Sequence, residues 1–191
     1  MMSTKREAAG PSRGVKITIA VVLTLALISS SVLLALGGPT GVAQRPGFFG
    51  TRANLFSDIN LVAQFVLLAG LSVGAVLARR GNIAAHQYNQ TAWVLFNIVL
   101  TIFIMAVAFF EYIAPGLPGN LSQAYVVAST IHAALGSLAI LCGIYLLLRM
   151  NRRLPKSLRI SWWKGLMRLT FVLYWIVGLF GLAVYYFWYV R

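Results

Sequence analysis

From about residue 17 onward the chain is a succession of long apolar runs broken by short polar stretches, at about 17–36, 55–78, 89–112, 122–148 and 166–189. Each is at least roughly 20 residues long, enough for a helix rising about 1.5 Å per residue to cross about 30 Å of hydrocarbon. None shows the apolar–polar alternation of a barrel strand, and backbone groups in lipid must be satisfied within the segment. The pattern therefore predicts an all-α fold, a polytopic membrane bundle of five transmembrane helices.

The breaks between the runs suggest how the chain is organised. Residues 1–14 are polar and are expected to form a disordered tail, followed by an N-terminal anchor over 15–36. The anchor's apolar core is longer than that of a secretory signal, so it is expected to stay uncleaved. An external loop over 37–54, rich in Gly and Pro, separates it from a four-helix antiparallel core over 55–189. Phe48 and Phe49 are expected to rest this loop on the membrane interface. Within the core, connections around Arg79 to Tyr88 and around "IAPGLPGNL" are short and make neighbouring helices antiparallel. The longer "RMNRRLPKSLRISWWKGLMR" is expected to hold an amphipathic piece with Trp162 and Trp163 at headgroup level.

Composition agrees: the chain is 60% hydrophobic and carries 16 Lys and Arg but only 3 acidic residues, Glu7, Asp58 and Glu111. The cations gather on one side of the predicted spans, leaving Arg45, Arg52 and Arg191 on the other. By the positive-inside rule the N-terminus is expected in the cytoplasm and the C-terminus outside. So distributed, the charge serves topology and contact with membrane lipids; no basic domain exists to hold a nucleic acid. The lone Cys142 cannot form an internal disulfide and is expected to pack as a small apolar residue.

Candidate chemistry lies in the polar residues of the spans, because such groups are costly in lipid and face the bundle interior. They are Asp58, Asn60 and Gln64 on the second span, His86, Asn89, Asn97 and Glu111 around the third, and Tyr125, Ser129, Thr130 and His132 on the fourth. Asp58, Asn60, Gln64, Asn97, Glu111, Tyr125 and Ser129 are expected to form an intramembrane polar network. His132 would sit at the depth of Gln64, and interhelical hydrogen bonds to Gln64, Ser129 or Tyr125 would hold it. His86 would lie at the opposite rim, more than about 20 Å away along the membrane normal. The two cannot share one metal or haem iron, so haem b would need another ligand, Met105 being the candidate for His132. Being deeper, His132 is expected to tolerate replacement by Ala less well than His86. No HxxxH, CxxxC or HExxH pattern, phosphate-binding loop or nucleophile elbow occurs. The residues thus leave the metal unassigned and argue against an enzyme.

The run "LVAQFVLLAGLSVGAVLARRGNIAAHQYNQTAWVLF" resembles the first helical pair of the YozB-like, or CtaM-like, family of small bacterial membrane proteins. "YVVASTIHAALGSLAI" and "LMRLTFVLYWIVGLFGLAVYYFWY" resemble its later helices, so the likeness covers about residues 54–189. It implies an accessory or assembly role beside a respiratory haem-copper terminal oxidase. It also implies His86 and His132 as cofactor-binding positions, with haem b as the candidate group. The family's further histidine at the start of the last helix is replaced here by Trp163. Two other readings stay open: a small b-type haem electron-transfer protein, and a structural subunit of a larger membrane complex.

Overall fold

The computed structural model describes residues 45–191. The expected tail, the expected anchor and the loop as far as residue 44 lie outside the described residues. The rest is helical, with four helices long and apolar enough to cross a membrane: α1 (Leu55–Arg79), α2 (Ile83–Gly116), α3 (Ala124–Met150) and α4 (Trp163–Tyr189). They coincide with the four core runs of the sequence. The one sizeable difference is α2, which begins six residues before the predicted start at 89.

That early start has a local cause. Gly81 takes a positive φ of 77° and turns the chain out of α1, while its N–H donates back to the Ala78 carbonyl at 3.0 Å. Asn82 then caps α2, its Oδ1 accepting the Ala85 N–H at 3.2 Å. The connection shrinks to Arg80 through Asn82, and His86, Gln87 and Tyr88 become helical. At the far end α2 loosens into π-helical turns at Thr101–Met105 and Phe109–Ile113 and closes on a 3₁₀ turn at Ala114–Gly116.

α1 packs chiefly on α2 and α3 on α4; contacts of α1 with α4 and of α2 with α3 close the ring. Leu67, Leu68, Leu71, Ala139 and Tyr174 form its buried centre, and a second cluster of Phe56, Leu100 and Ile104 lies nearer the end where α1 begins. Glycines set the spacing. A Cβ at Gly70 would run into the Trp93 indole, and one at Gly178 would lie 2.5 Å from Leu68 Cδ1. Such close approach is how membrane helices gain dispersion contact when lipid supplies no hydrophobic drive.

The two ends of the ring differ. Arg79, Arg80, Arg149, Arg152, Arg153, Lys156, Arg159, Lys164 and Arg168 mark one, the basic end. There the α3–α4 connection is tied down rather than amphipathic-helical: it holds one 3₁₀ turn at Lys156–Leu158, and Tyr145 Oη donates to the Leu158 carbonyl and accepts the Ile160 N–H, both at 3.0 Å. At the other end residues 45–54 form a tight loop, with Gly47 N–H to the Ala53 carbonyl at 2.9 Å and Arg52 N–H to the Tyr189 carbonyl at 3.2 Å. This loop end presents Phe48 and Phe49, both about half exposed.

Candidate functional site

Three polar side chains open α2 at the basic end. His86, Asn89 and Gln90 stand at i, i+3 and i+4, so one face carries all of them. That face meets α1, where Gly70 and Gly74 leave the backbone uncovered. His86 Nδ1 lies 2.7 Å from the Gly74 carbonyl, Asn89 Nδ2 donates to the Gly70 carbonyl at 2.8 Å, and Gln90 Nε2 to the Leu71 carbonyl at 3.3 Å. A carbonyl only accepts, so His86 Nδ1 carries a proton and, in the neutral ring, Nε2 keeps its lone pair. Nε2 is buried with no partner among the described residues, and the residue is only 5% exposed. A ring oriented by a backbone carbonyl with its second nitrogen unspent has the form of a ligand histidine.

His132 is placed elsewhere. Its ring lies against α4, where a Cβ at Gly181 would come within 3.3 Å of Cε1, and its Nδ1 is buried without a partner. None of the hydrogen bonds expected to Gln64, Ser129 or Tyr125 forms among the described residues. The structure thus keeps the histidines apart, one against α1 toward the basic end and one against α4 toward the loop end. Met105, the candidate second ligand, has its Sδ 3.9 Å from Thr101 Oγ1 of its own helix.

The remaining polar residues divide into pairs, most of them with α4. Asp58, fully buried, accepts from the Phe49 N–H at 2.9 Å and from Tyr185 Oη at 2.5 Å. Asn97 Nδ2 meets Tyr174 Oη at 3.4 Å. Ser129 Oγ accepts from Trp188 Nε1 at 2.9 Å, and Tyr125 stacks edge-on against the same indole. Asn60 Oδ1 and Gln64 Nε2 are buried without partners, and Glu111 is exposed. Thr130 bonds only the Val126 carbonyl of its own helix. The single expected network is therefore a set of separate contacts.

Sequence reasoning missed the residues that unite them. Tyr174, Gly178, Gly181, Tyr185 and Trp188 follow a 4-3-4-3 spacing that makes one inward seam on α4. They receive Asn97, Leu68, His132, Asp58 and Ser129 in turn. That spacing was available in the sequence, but the aromatic run reads as a docking surface of a larger complex.

Trp163, where the resemblance leads one to expect a histidine, begins α4 with the Arg149 guanidinium 5.2 Å over its ring. This cation–π contact covers a cation whose Nη1 is buried without a hydrogen bond. Among the described residues no three His, Cys, Asp or Glu side chains gather as a metal-binding group. A cavity of about 50 Å³ opens between α2, α3 and α4. Neither His86 nor His132 lines it, so this cavity offers no histidine ligand to haem b. No protein-family profile, curated protein or solved structure matches the chain.

Proposed function

We propose that the chain is an integral membrane accessory or assembly protein that works beside a respiratory haem-copper oxidase, through contacts between helices. The observation that carries this reading is the outward face of α4. Leu169, Val172, Ile176, Leu179, Leu182 and Tyr186 form an exposed stripe along almost its whole length, opposite the inward seam. A membrane protein whose work is contact needs such a face, rigidly backed, and the polar seam behind it supplies the backing. The oxidase as partner comes from the family resemblance, as does the bacterial plasma membrane with the basic end in the cytoplasm.

The test is affinity purification in mild detergent, with a photo-crosslinking residue in place of Val172 or Leu179 on the outward face and of Val177 beside the seam as control. A haem-copper oxidase subunit captured from the outward positions only, at substoichiometric and growth-dependent levels, supports an assembly role. A fixed stoichiometric partner would make the chain a structural subunit instead, and capture of lipid alone would overturn the proposal. The electron-transfer reading has less support, since the described residues bring neither histidine together with a second ligand. A dithionite-reduced minus air-oxidised spectrum of the purified protein is expected to be flat. A sharp b-type α-band lost on His132→Ala would reinstate that reading.

A further inference from the structure

The connection between α3 and α4 carries Arg152, Arg153, Lys156 and Arg159, all of them exposed. No carboxylate stands near them among the described residues, whose acidic members, Asp58 and Glu111, both belong to the loop end. The counter-charge for this cluster must come from outside the described chain. Topology alone would be served by cations on a slack loop, since the orientation rule counts charges and not their geometry. This connection is not slack.

Its course is fixed in three places. Arg152 takes a φ of 59°, a left-handed conformation ordinarily left to glycine, and the Arg153 N–H closes on the Leu148 carbonyl at 2.9 Å, so the chain turns back sharply where α3 ends. Arg159 donates from Nε and Nη2 to the Leu154 carbonyl, at 3.0 and 2.9 Å, and Leu154 itself is buried. The third tie is Tyr145, whose Oη donates to the Leu158 carbonyl and receives the Ile160 N–H. Tyr145 precedes Met150, the last residue of α3, by five positions, which places it about 7.5 Å inside that end by helical rise. Long side chains on a helix lean back toward its N-terminus, so the phenol reaches no nearer the end. Leu158 and its neighbours are thus held down alongside α3 and not above it.

That depth has a meaning in a bilayer. The 27 residues of α3 rise about 40 Å, close to the thickness of a bilayer with its headgroups, of which about 30 Å is hydrocarbon. A point about 7.5 Å inside the end therefore lies near the boundary between headgroups and chains. Leu158, more than half exposed, is pinned at this boundary between Lys156 and Arg159 in sequence. Deeper along α3, Leu141 and Leu138 stand four and seven residues before Tyr145, on the same helix face, and both are more than half exposed. The surface so formed is cationic toward the water and apolar beneath, the complement of an amphiphile with an anionic head.

We propose that this is a binding site for one anionic phospholipid. Lys156 and Arg159 hold its phosphate, Arg152 and Arg153 supply the surrounding positive charge, and its chains lie along Leu141 and Leu138. Tyr145 is a positioning residue, which sets the height of the cations through the connection it ties down. The site is on α3 and the connection, away from the outward face of α4, so it stands whether or not that face carries a partner.

Native mass spectrometry of the purified protein with phosphatidylglycerol or phosphatidylcholine added tests this. One phosphatidylglycerol is expected to be retained several-fold more strongly than phosphatidylcholine. Lys156→Gln should remove most of that preference, whereas Arg79→Gln, which takes the same charge from the end of α1, should keep it. Tyr145→Phe alters no charge and keeps the ring, yet should lower the preference as well; unchanged circular dichroism of each variant in detergent is the check on folding. Glycerol phosphate at the same concentration should not displace the lipid. Equal retention of the two lipids, equal losses in Lys156→Gln and Arg79→Gln, or full retention in Tyr145→Phe would mean diffuse attraction and overturn the proposal. Displacement by glycerol phosphate would overturn it too, by making the headgroup alone the ligand.

Discussion

Asp58 shows how much one side chain can hold. Its carboxyl is fully buried at the start of α1, where it gathers the Phe49 N–H and the Tyr185 hydroxyl. It thereby fastens the loop to both α1 and α4, and its place in the first turn suits the helix dipole. Asp58→Ala leaves the part-buried Phe49 N–H unmet and Tyr185 Oη with only Thr51 Oγ1, and is expected to destabilise the bundle by about 1–3 kcal/mol, read from thermal or detergent denaturation. Glu111→Ala, at an exposed position, should change stability by less than about 0.5 kcal/mol. The histidines follow the same logic and reverse the order that depth alone suggested. His86 makes a 2.7 Å bond and is 5% exposed, whereas His132 has an unpartnered Nδ1 and only the Val177 backbone beside its ring. His86→Ala is therefore expected to lower the melting temperature more than His132→Ala; an equal or opposite effect would show that the Gly74 contact contributes little.

At the scale of the helices, the four spans were legible because an uninterrupted apolar run has few alternatives in lipid. The start of α2 was not. His86, Gln87, Asn89 and Gln90 look like a polar connection, and only the backbone they serve, the bare carbonyls beside Gly70 and Gly74, makes them helix. The candidate site was half legible for a related reason. Asp58, Asn97 and Ser129 were identifiable as buried polar groups, but their partners Tyr185 and Trp188 read as a docking surface, and nothing in the sequence pairs Tyr174 with Asn97. The glycines divide likewise by what stands opposite them. Gly70→Ala would drive a methyl into the Trp93 indole, and overpacking of this kind is expected to cost about 1–3 kcal/mol. Gly136→Ala meets only Val177 Cγ1, at 3.7 Å, and should be neutral or stabilising by up to about 1 kcal/mol through helix propensity. Parallel melts of the two variants check the contrast; similar losses in both would mean that helix spacing is not set at Gly70.

For the whole molecule the decisive quantity is the asymmetry between its ends, since it fixes which end of the bundle meets the cytoplasm. Nine cations, Arg79 through Arg168, mark one end of the described bundle, and Arg45, Arg52 and Arg191 the other. Positive charge is retained on the cytoplasmic side, so the basic end is expected to face inward and the loop with Phe48 outward. Single-cysteine labelling decides this once Cys142 is replaced by Ser. In intact spheroplasts, Phe48→Cys should react with a membrane-impermeant thiol reagent, and Arg153→Cys should react only after permeabilisation. Both positions are exposed, so protection of either reports the membrane rather than burial in the protein. With that outcome the cavity lined by Gln90 and Thr170 lies in the cytoplasmic half of the bundle, and the apolar cluster of Phe56, Leu100 and Ile104 in the outer half. The reverse outcome would put Arg153 outside and the loop with Phe48 in the cytoplasm. The accessory role rests on the outward face of α4, which lies along the membrane in either orientation, so the labelling decides topology without deciding that role.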